Sequence, residues 1–239
     1  MTEIRHDVRP DGSPDAPPRA RPEPGHDMRQ LTARGRSIED ESFAVIDREA
    51  GAHPLPPAEW SVVRRVIHAT ADFELKDLVC FERGAVAAGI AALRAGRPII
   101  VDVKMIAAGL SEERLGAYGC AVWSFISDPD VIAAARAADS TRAIEAMRKA
   151  HRQGLLKGAI IAIGNAPTAL LEVARLVEVA AVRPALVIAV PVGFVSAAES
   201  KEAALALPVP VICVRGRKGG STIAVAILHA LLALTREAA

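Results

Sequence analysis

Two groups of residues in this chain have types and spacings that could do chemistry. The first is Arg64-Arg65-Val66-Ile67-His68-Ala69-Thr70-Ala71-Asp72. Arg65 and His68 are three apart, so on a helix they share a face, away from the apolar stripe of Val62, Val63, Val66 and Ile67. A histidine near a helix C-terminus gains from the dipole as imidazolium, and Asp72 would reinforce this, so His68 is a candidate proton donor near neutral pH. Spacing alone favours instead a surface Arg/His pair that satisfies the last carbonyls of the helix. The second group is three short loops, Gly164-Asn165-Ala166-Pro167-Thr168, Pro191-Val192-Gly193-Phe194-Val195-Ser196 and Arg215-Gly216-Arg217-Lys218-Gly219-Gly220-Ser221. Each follows an apolar run and opens a helical pattern. Such loops offer free N–H groups at a helix N-terminus, which suits an anion, and the last adds three cations in four residues. Tight-turn glycines explain any one of them; three together point to a carboxylate or phosphate site. Neither a Walker A pattern nor GxGxxG is present.

The elements that must position these residues begin near Ser37, which is placed to cap a first helix ending at Gly51. Pro56 and Pro57 open a second, Ala58 to about Thr70, and a third runs from about Gly84 to Ala95. Five short apolar runs follow, each leading into a helical pattern: Ile99–Val103, Cys120–Phe125, Ala159–Ile163, Leu186–Val190 and Val209–Val214. The later helices fall near Val131–Ala138, Thr141–Gln153, Pro167–Val179, Ala197–Leu205 and Ser221–Leu234. Alternating strands and helices predict an α/β fold: one three-layer domain, residues 37–239, with a mostly parallel sheet of about five strands and helices on both faces. Ligands of such sheets bind beyond the carboxyl ends of the strands, where the three loops lie. Residues 1–36 hold six of the sixteen prolines among charged residues and read as a disordered tail.

The chain has 239 residues, 51% hydrophobic, 24% charged and 3% aromatic, with 29 Lys+Arg against 28 Asp+Glu. That balance excludes a nucleic-acid platform, which needs a basic face and stacking rings. Apolar runs are too short or broken for a membrane span. Cys80, Cys120 and Cys213 show no ligand or pairing spacing, so packing in a reducing cytoplasm is expected, with no metal site. The N-terminus has no apolar secretion signal.

Other polar residues are less informative. Asp102 and Lys104, at the end of the first strand, would share a face as a simple ion pair. Glu199, Ser200 and Lys201 are open between solvated positions and ligand contacts. His229, among leucines, reads as a satisfied core or interface histidine; His53 and His151 are isolated. The final helix is apolar nearly all round, so it is either central or buried against a partner, which makes a homodimer an expectation.

Ser42-Phe43, the Arg65–His68 stretch, Asp102-Val103-Lys104-Met105, GNAPTAL (164–170), PVGFV with AAESK (191–201), Arg215-Gly216-Arg217 and Gly219-Gly220-Ser221 together resemble precorrin-8X methylmutase over about residues 37–235. The resemblance implies an isomerase of cobalamin biosynthesis, acting as a homodimer without a redox cofactor. It would move a methyl group from C-11 to C-12 of precorrin-8X, or of its cobalt-containing counterpart, to give hydrogenobyrinate or cobyrinate. It implies that His68 is the catalytic proton donor and acceptor and that Ser42 and Arg65 touch substrate, which reverses the balance for the Arg65–His68 pair. The further candidate substrate contacts are Asn165, Thr168, Gly193, Ser200, Lys201, Arg217, Gly219, Gly220 and Ser221. The tetrapyrrole carries acetate and propionate groups that scattered cations and loop N–H groups could hold, with apolar side chains against the ring. A corrinoid carrier without chemistry, or an unrelated enzyme for a small phosphorylated substrate, would use the same loops.

Overall fold

The computed structural model describes residues 32–237. In chain order, α1 (Ala33–Ala50), α2 (Pro57–Thr70) and the one-turn α3 (Leu75–Leu78) lead into β1 (Val79–Glu82) and α4 (Ala85–Arg94). Next come β2 (Ile99–Val101), α5 (Lys104–Gly109), α6 (Glu112–Gly116), β3 (Val122–Trp123), α7 (Pro129–Ala137) and α8 (Arg142–Arg152). The order closes with β4 (Ile160–Ile163), α9 (Pro167–Val179), β5 (Leu186–Ala189), α10 (Ala197–Ala206), β6 (Val211–Val214) and α11 (Ser221–Glu237).

The sheet has six strands in the order β1-β6-β5-β4-β2-β3, all parallel except β1, which runs antiparallel to β6. Central strands β2, β4, β5 and β6 are buried on both faces, as their unbroken aliphatic runs require. Alternation sends Ile99, Val101, Ile160, Ala162, Leu186, Ile188, Ile212 and Val214 into one core, with residues of α1, α2, α4, α5 and α11. Ile100, Ile161, Ile163, Val187, Ala189, Val211 and Cys213 enter the other, with residues of α7, α8, α9 and α10. The three layers stand as expected.

Several expectations change. The sixth strand, VCFE, has half-buried residues and one charge, so it lacks the run that marks a central strand. The Cys120–Phe125 run contributes only Val122 and Trp123, because β3 is the opposite edge and pairs with one neighbour. Ser37 is not the cap of the first helix. Thr32 is, its Oγ1 accepting from Gly35 N–H at 3.0 Å, and Ser37 lies within α1. Of the segment read as a tail, residues 1–31 lie outside the described residues, while 32–36 belong to the folded domain. The apolar α11 is central: Ala224, Ile227, Leu228 and Leu231 are fully buried and the helix packs on α2 and α4, so its composition argues no partner. No helix among the described residues is long and apolar enough to cross a membrane.

Candidate active site

Pro57 at the first turn starts α2, and Val62, Val63, Val66 and Ile67 bury its stripe completely or nearly so. The other face is left to Arg64, Arg65 and His68. The helix stops at Ala71, in the left-handed region at φ 54°, whose N–H closes on Ile67 O. Helix α1 docks alongside through Asp47, which accepts from Trp60 Nε1 at 2.8 Å and Arg64 Nη1 at 2.9 Å. This brings Phe43 under the basic face: the Arg64 and Arg65 guanidinium carbons sit 4.5 and 4.8 Å from its ring centre, and the His68 ring 5.2 Å. Arg65 is fixed from the far side by the buried Glu39, Nη1 to Oε1 at 2.5 Å. Ser42 lies one residue before Phe43, half-buried, its Oγ donating to Ile38 O at 2.7 Å.

His68 is exposed, yet its pKa lies below the usual 6.5. Partial burial is the main cause and the Arg65 charge adds to it, with Glu39 opposing. The expected imidazolium at the helix terminus is therefore corrected. Asp72 does not serve His68; its carboxylate receives Lys218 Nζ at 2.6 Å, and Glu74 takes the same ammonium at 2.8 Å. That pairing lowers the Asp72 pKa, through the Lys218 hydrogen bond above all. It also has a structural result. It ties the segment just after His68 to the Arg215–Ser221 loop, joining the two constellations at one sheet edge.

The three loops at that edge are packed onto one another. Gly220 N–H donates to Val190 O at 2.8 Å, and Gly193 N–H to Arg217 O at 3.2 Å. A Cβ on Gly219 would stand 2.3 Å from Val190 O and 2.7 Å from Pro191 O, both backbone atoms, so only glycine fits. A Cβ on Gly164 would meet Ser221 Cα at 2.9 Å. Arg217 is exposed and lies over the Phe194 ring at 5.7 Å. Phe194 and Val195 are 85% and 82% exposed, an apolar rim beside the basic loop.

Asp102 and Lys104 are not an ion pair. The strand ends at Val101, so the alternation that would place them on one face has already stopped. Asp102 is fully buried and accepts from Gly164, Asn165 and Ala166 N–H at 3.1, 2.9 and 2.7 Å. Burial pushes its carboxyl pKa up, and the three N–H groups pull it back. The loop N–H groups read as an anion site are thus occupied by the chain's own carboxylate. What this loop presents outward is the exposed Asn165 side chain and Thr168, whose Oγ1 lies 3.1 Å from Thr141 Oγ1. Thr141 caps α8, and Arg142 next to it lines a groove of about 500 Å³ with Arg136 and Ser140.

Ser200 and Lys201 sit behind the loops. Ser200 Oγ donates to Ala197 O at 2.9 Å, and the fully buried Lys201 Nζ donates to Gly216 O at 2.9 Å and Lys218 O at 2.6 Å. Burial lowers the Lys201 pKa to about 8. Both side chains are turned inward, and Lys201 holds the basic loop from below. Ser221, nearly buried, opens α11. Glu39, and Asp102 as a loop anchor, were not legible as site residues. His229 is not a satisfied histidine: its Nε2 is buried without a partner, and burial, with Arg114 and Arg65 nearby, lowers its pKa to about 4. His53 is not isolated either but stacks on Trp60 at 4.0 Å. Among the described residues no three His, Cys, Asp or Glu side chains converge in a metal-binding group.

The precorrin-8X methylmutase family model matches residues 37–234. The chain is 55% identical over 216 residues to a cobalt-precorrin-8 methylmutase of Leptospira interrogans, covering 88% of this chain and 98% of the relative. It is 41% identical to a precorrin-8X methylmutase of Pseudomonas aeruginosa, covering 82% and 94%. The crystal structure of a precorrin-8x methyl mutase from Thermus thermophilus superposes with a TM-score of 0.80 at 50% identity, over 85% of this chain and 99% of that one. With the family model matching residues 37–234 and relatives up to 55% identical over most of their length, the chain belongs to the precorrin-8X methylmutase family.

Proposed function

We propose that this chain moves the C-11 methyl group of precorrin-8X or cobalt-precorrin-8 to C-12, with His68 exchanging the proton that makes the ring accept it. The observation that carries the reading is the placement of His68 beside Arg65 over the Phe43 ring, on a helix whose end is tied through Asp72 and Lys218 to the basic loop. The migration is internal to the substrate, so the protein needs no nucleophile for it. The lowered pKa leaves His68 neutral and so available as a base near neutral pH, and makes its imidazolium the stronger acid toward a ring nitrogen or carbon. Arg65, held by Glu39, offers preorganised charge where electron density develops.

Ring carboxylates would meet Arg217, Asn165, Thr168 and the first turn of α11 after Gly219, Gly220 and Ser221, while Phe194 and Val195 would cover an apolar ring face. Gly193, Ser200 and Lys201 would act by holding these loops in place. A homodimer in the cytoplasm, which the family resemblance implies, is part of the proposal, and three free cysteines suit a reducing compartment. Relatives are named for both cobalt-containing and cobalt-free substrates, so both are assayed.

The test is His68→Ala. Conversion is followed by the absorbance change of the pigment, and binding by retention of the orange product. The variant should bind product as the parent does and lose at least about 100-fold in turnover, the usual contribution of general acid–base catalysis. Near-normal turnover would remove His68 from the mechanism.

A further inference from the structure

The antiparallel ladder between β1 and β6 sets Cys80 directly opposite Cys213, residues 133 positions apart in the chain. Arg215 N–H donates to Leu78 O at 2.9 Å, two steps along that ladder. Cys80 and Cys213 are therefore a hydrogen-bonded pair, whose α-carbons stand ~5.5 Å apart. Disulfides span ~4.4–6.8 Å between α-carbons. Both side chains leave the same sheet face, Cys213 inside the core and Cys80 packed against it. Cys213 is fully buried; Cys80 is half-buried on the outermost strand.

The Lys201 and Arg215 charges act on the pair, opposed by Glu82 and by Glu202, which also pairs with Arg215. The Cys80 thiol donates to Cys213 O at 3.6 Å. The facing Cys213 side chain and the Arg215 charge lower its pKa against burial and Glu82, while the same pairing and burial raise that of Cys213. Nothing in the methyl transfer uses either sulfur. A partly open thiol with a second thiol directly opposite it on the neighbouring strand is the arrangement of an oxidisable cysteine and its resolving partner. Cys120 lacks all of this. It is buried, donates to Leu93 O and has its pKa pushed up to about 11.

We propose that Cys80 and Cys213 form a reversible redox pair, in which a hydroperoxide oxidises Cys80 and Cys213 closes an intrachain disulfide between β1 and β6. The Cys80 thiolate attacks the terminal peroxide oxygen, the O–O bond breaks, and hydroxide (an alkoxide from an organic hydroperoxide) leaves as Cys80 becomes a sulfenic acid. The Cys213 sulfur then attacks Cys80 sulfur, gives up its proton and displaces the hydroxyl as water. The two sulfurs together lose two electrons, which the peroxide takes up, and a dithiol reductant reverses the change. The bond would lie one residue before the end of β6, from which the Arg215–Ser221 loop departs.

Full-length protein exposed to excess hydrogen peroxide, quenched in acid, denatured, alkylated and digested with trypsin tests this. Two of the three cysteines should escape alkylation, and the peptide 77–83 should appear joined to 202–215 within one chain. Dithiothreitol should restore both thiols. Cys80→Ser, at a half-buried position, should leave Cys213 fully alkylated after the same treatment. The proposal fails if both thiols stay alkylatable in the parent, if Cys80 stops at sulfinic acid with Cys213 free, or if the linkage joins separate chains.

Discussion

Replacing Asp102 with Asn probes the anchor of the GNAPT loop with almost no change of shape. In the parent, Oδ2 accepts from Asn165 and Ala166 and Oδ1 from Gly164. An amide offers one oxygen, so its NH2 must face at least one N–H donor at a site with no exposure. An orphaned buried donor costs about 1–3 kcal/mol, and turning two charge-assisted bonds into neutral ones costs about 1 kcal/mol each. Removing a buried charge works in the opposite direction, as the raised pKa of Asp102 attests. The net expectation is a loss of about 2–4 kcal/mol, a large share of the ~5–15 kcal/mol that holds a typical domain together. Urea unfolding followed by far-UV circular dichroism reads this as a shift of midpoint at unchanged slope. The thermal midpoint should fall by about 4–16 °C. A loss below about 0.5 kcal/mol would refute the view that the carboxylate, rather than tight packing, holds the loop.

Gly219→Ala should lower affinity for product at least 10-fold with the unfolding midpoint less affected than in the Asp102 variant, since the Cβ collides with Val190 O and Pro191 O and must displace the basic loop; unchanged titration of product would contradict that. Glu39→Gln keeps the shape but removes the charge that opposes Arg65 at His68, so the acidic limb of the turnover–pH profile should move to lower pH, and a profile superposing on the parent's would exclude Glu39 from tuning His68. His229 binds its proton near pH 4 in the fold against 6.5 when unfolded, so the unfolded chain takes up more protons between these values. Stability should be complete above pH 6.5 and decline by up to about 3 kcal/mol as pH falls toward 4, measured as the difference in urea midpoint from His229→Gln; equal pH dependence of both proteins would contradict this.

The fold was legible where physics leaves a continuous mark. IIV, IIAI, LVIA and VICV are buried on both faces and contain nothing but apolar residues, so a parallel sheet follows from them. VCFE and the Val122–Trp123 pair are edge strands, half-wet and short, and resemble loop or helix ends. For the site, a histidine and an arginine three apart on an amphipathic helix are visible in one dimension. Glu39 is not, because its partner is 26 residues away and its neighbours Asp40 and Glu41 look the same. Asp102 was misread for a similar reason. Its partners lie 62–64 residues ahead, just beyond the neighbouring strand β4, and local alternation pointed to Lys104 instead.

The placement of β1 has a consequence for synthesis on the ribosome. Among the described residues its only neighbour in the sheet is β6, so the strand that follows the histidine helix has no ladder to join until residues near Val211 have emerged. At ~5–20 residues per second, a lag of 133 residues is roughly 7–27 s. Helix α2 waits still longer, because α11, which seals it, is the last element of all. A nascent or truncated chain lacking the final thirty residues can have its histidine and arginine yet no place to use them. Competence therefore arrives late and all at once, when the last helix seats.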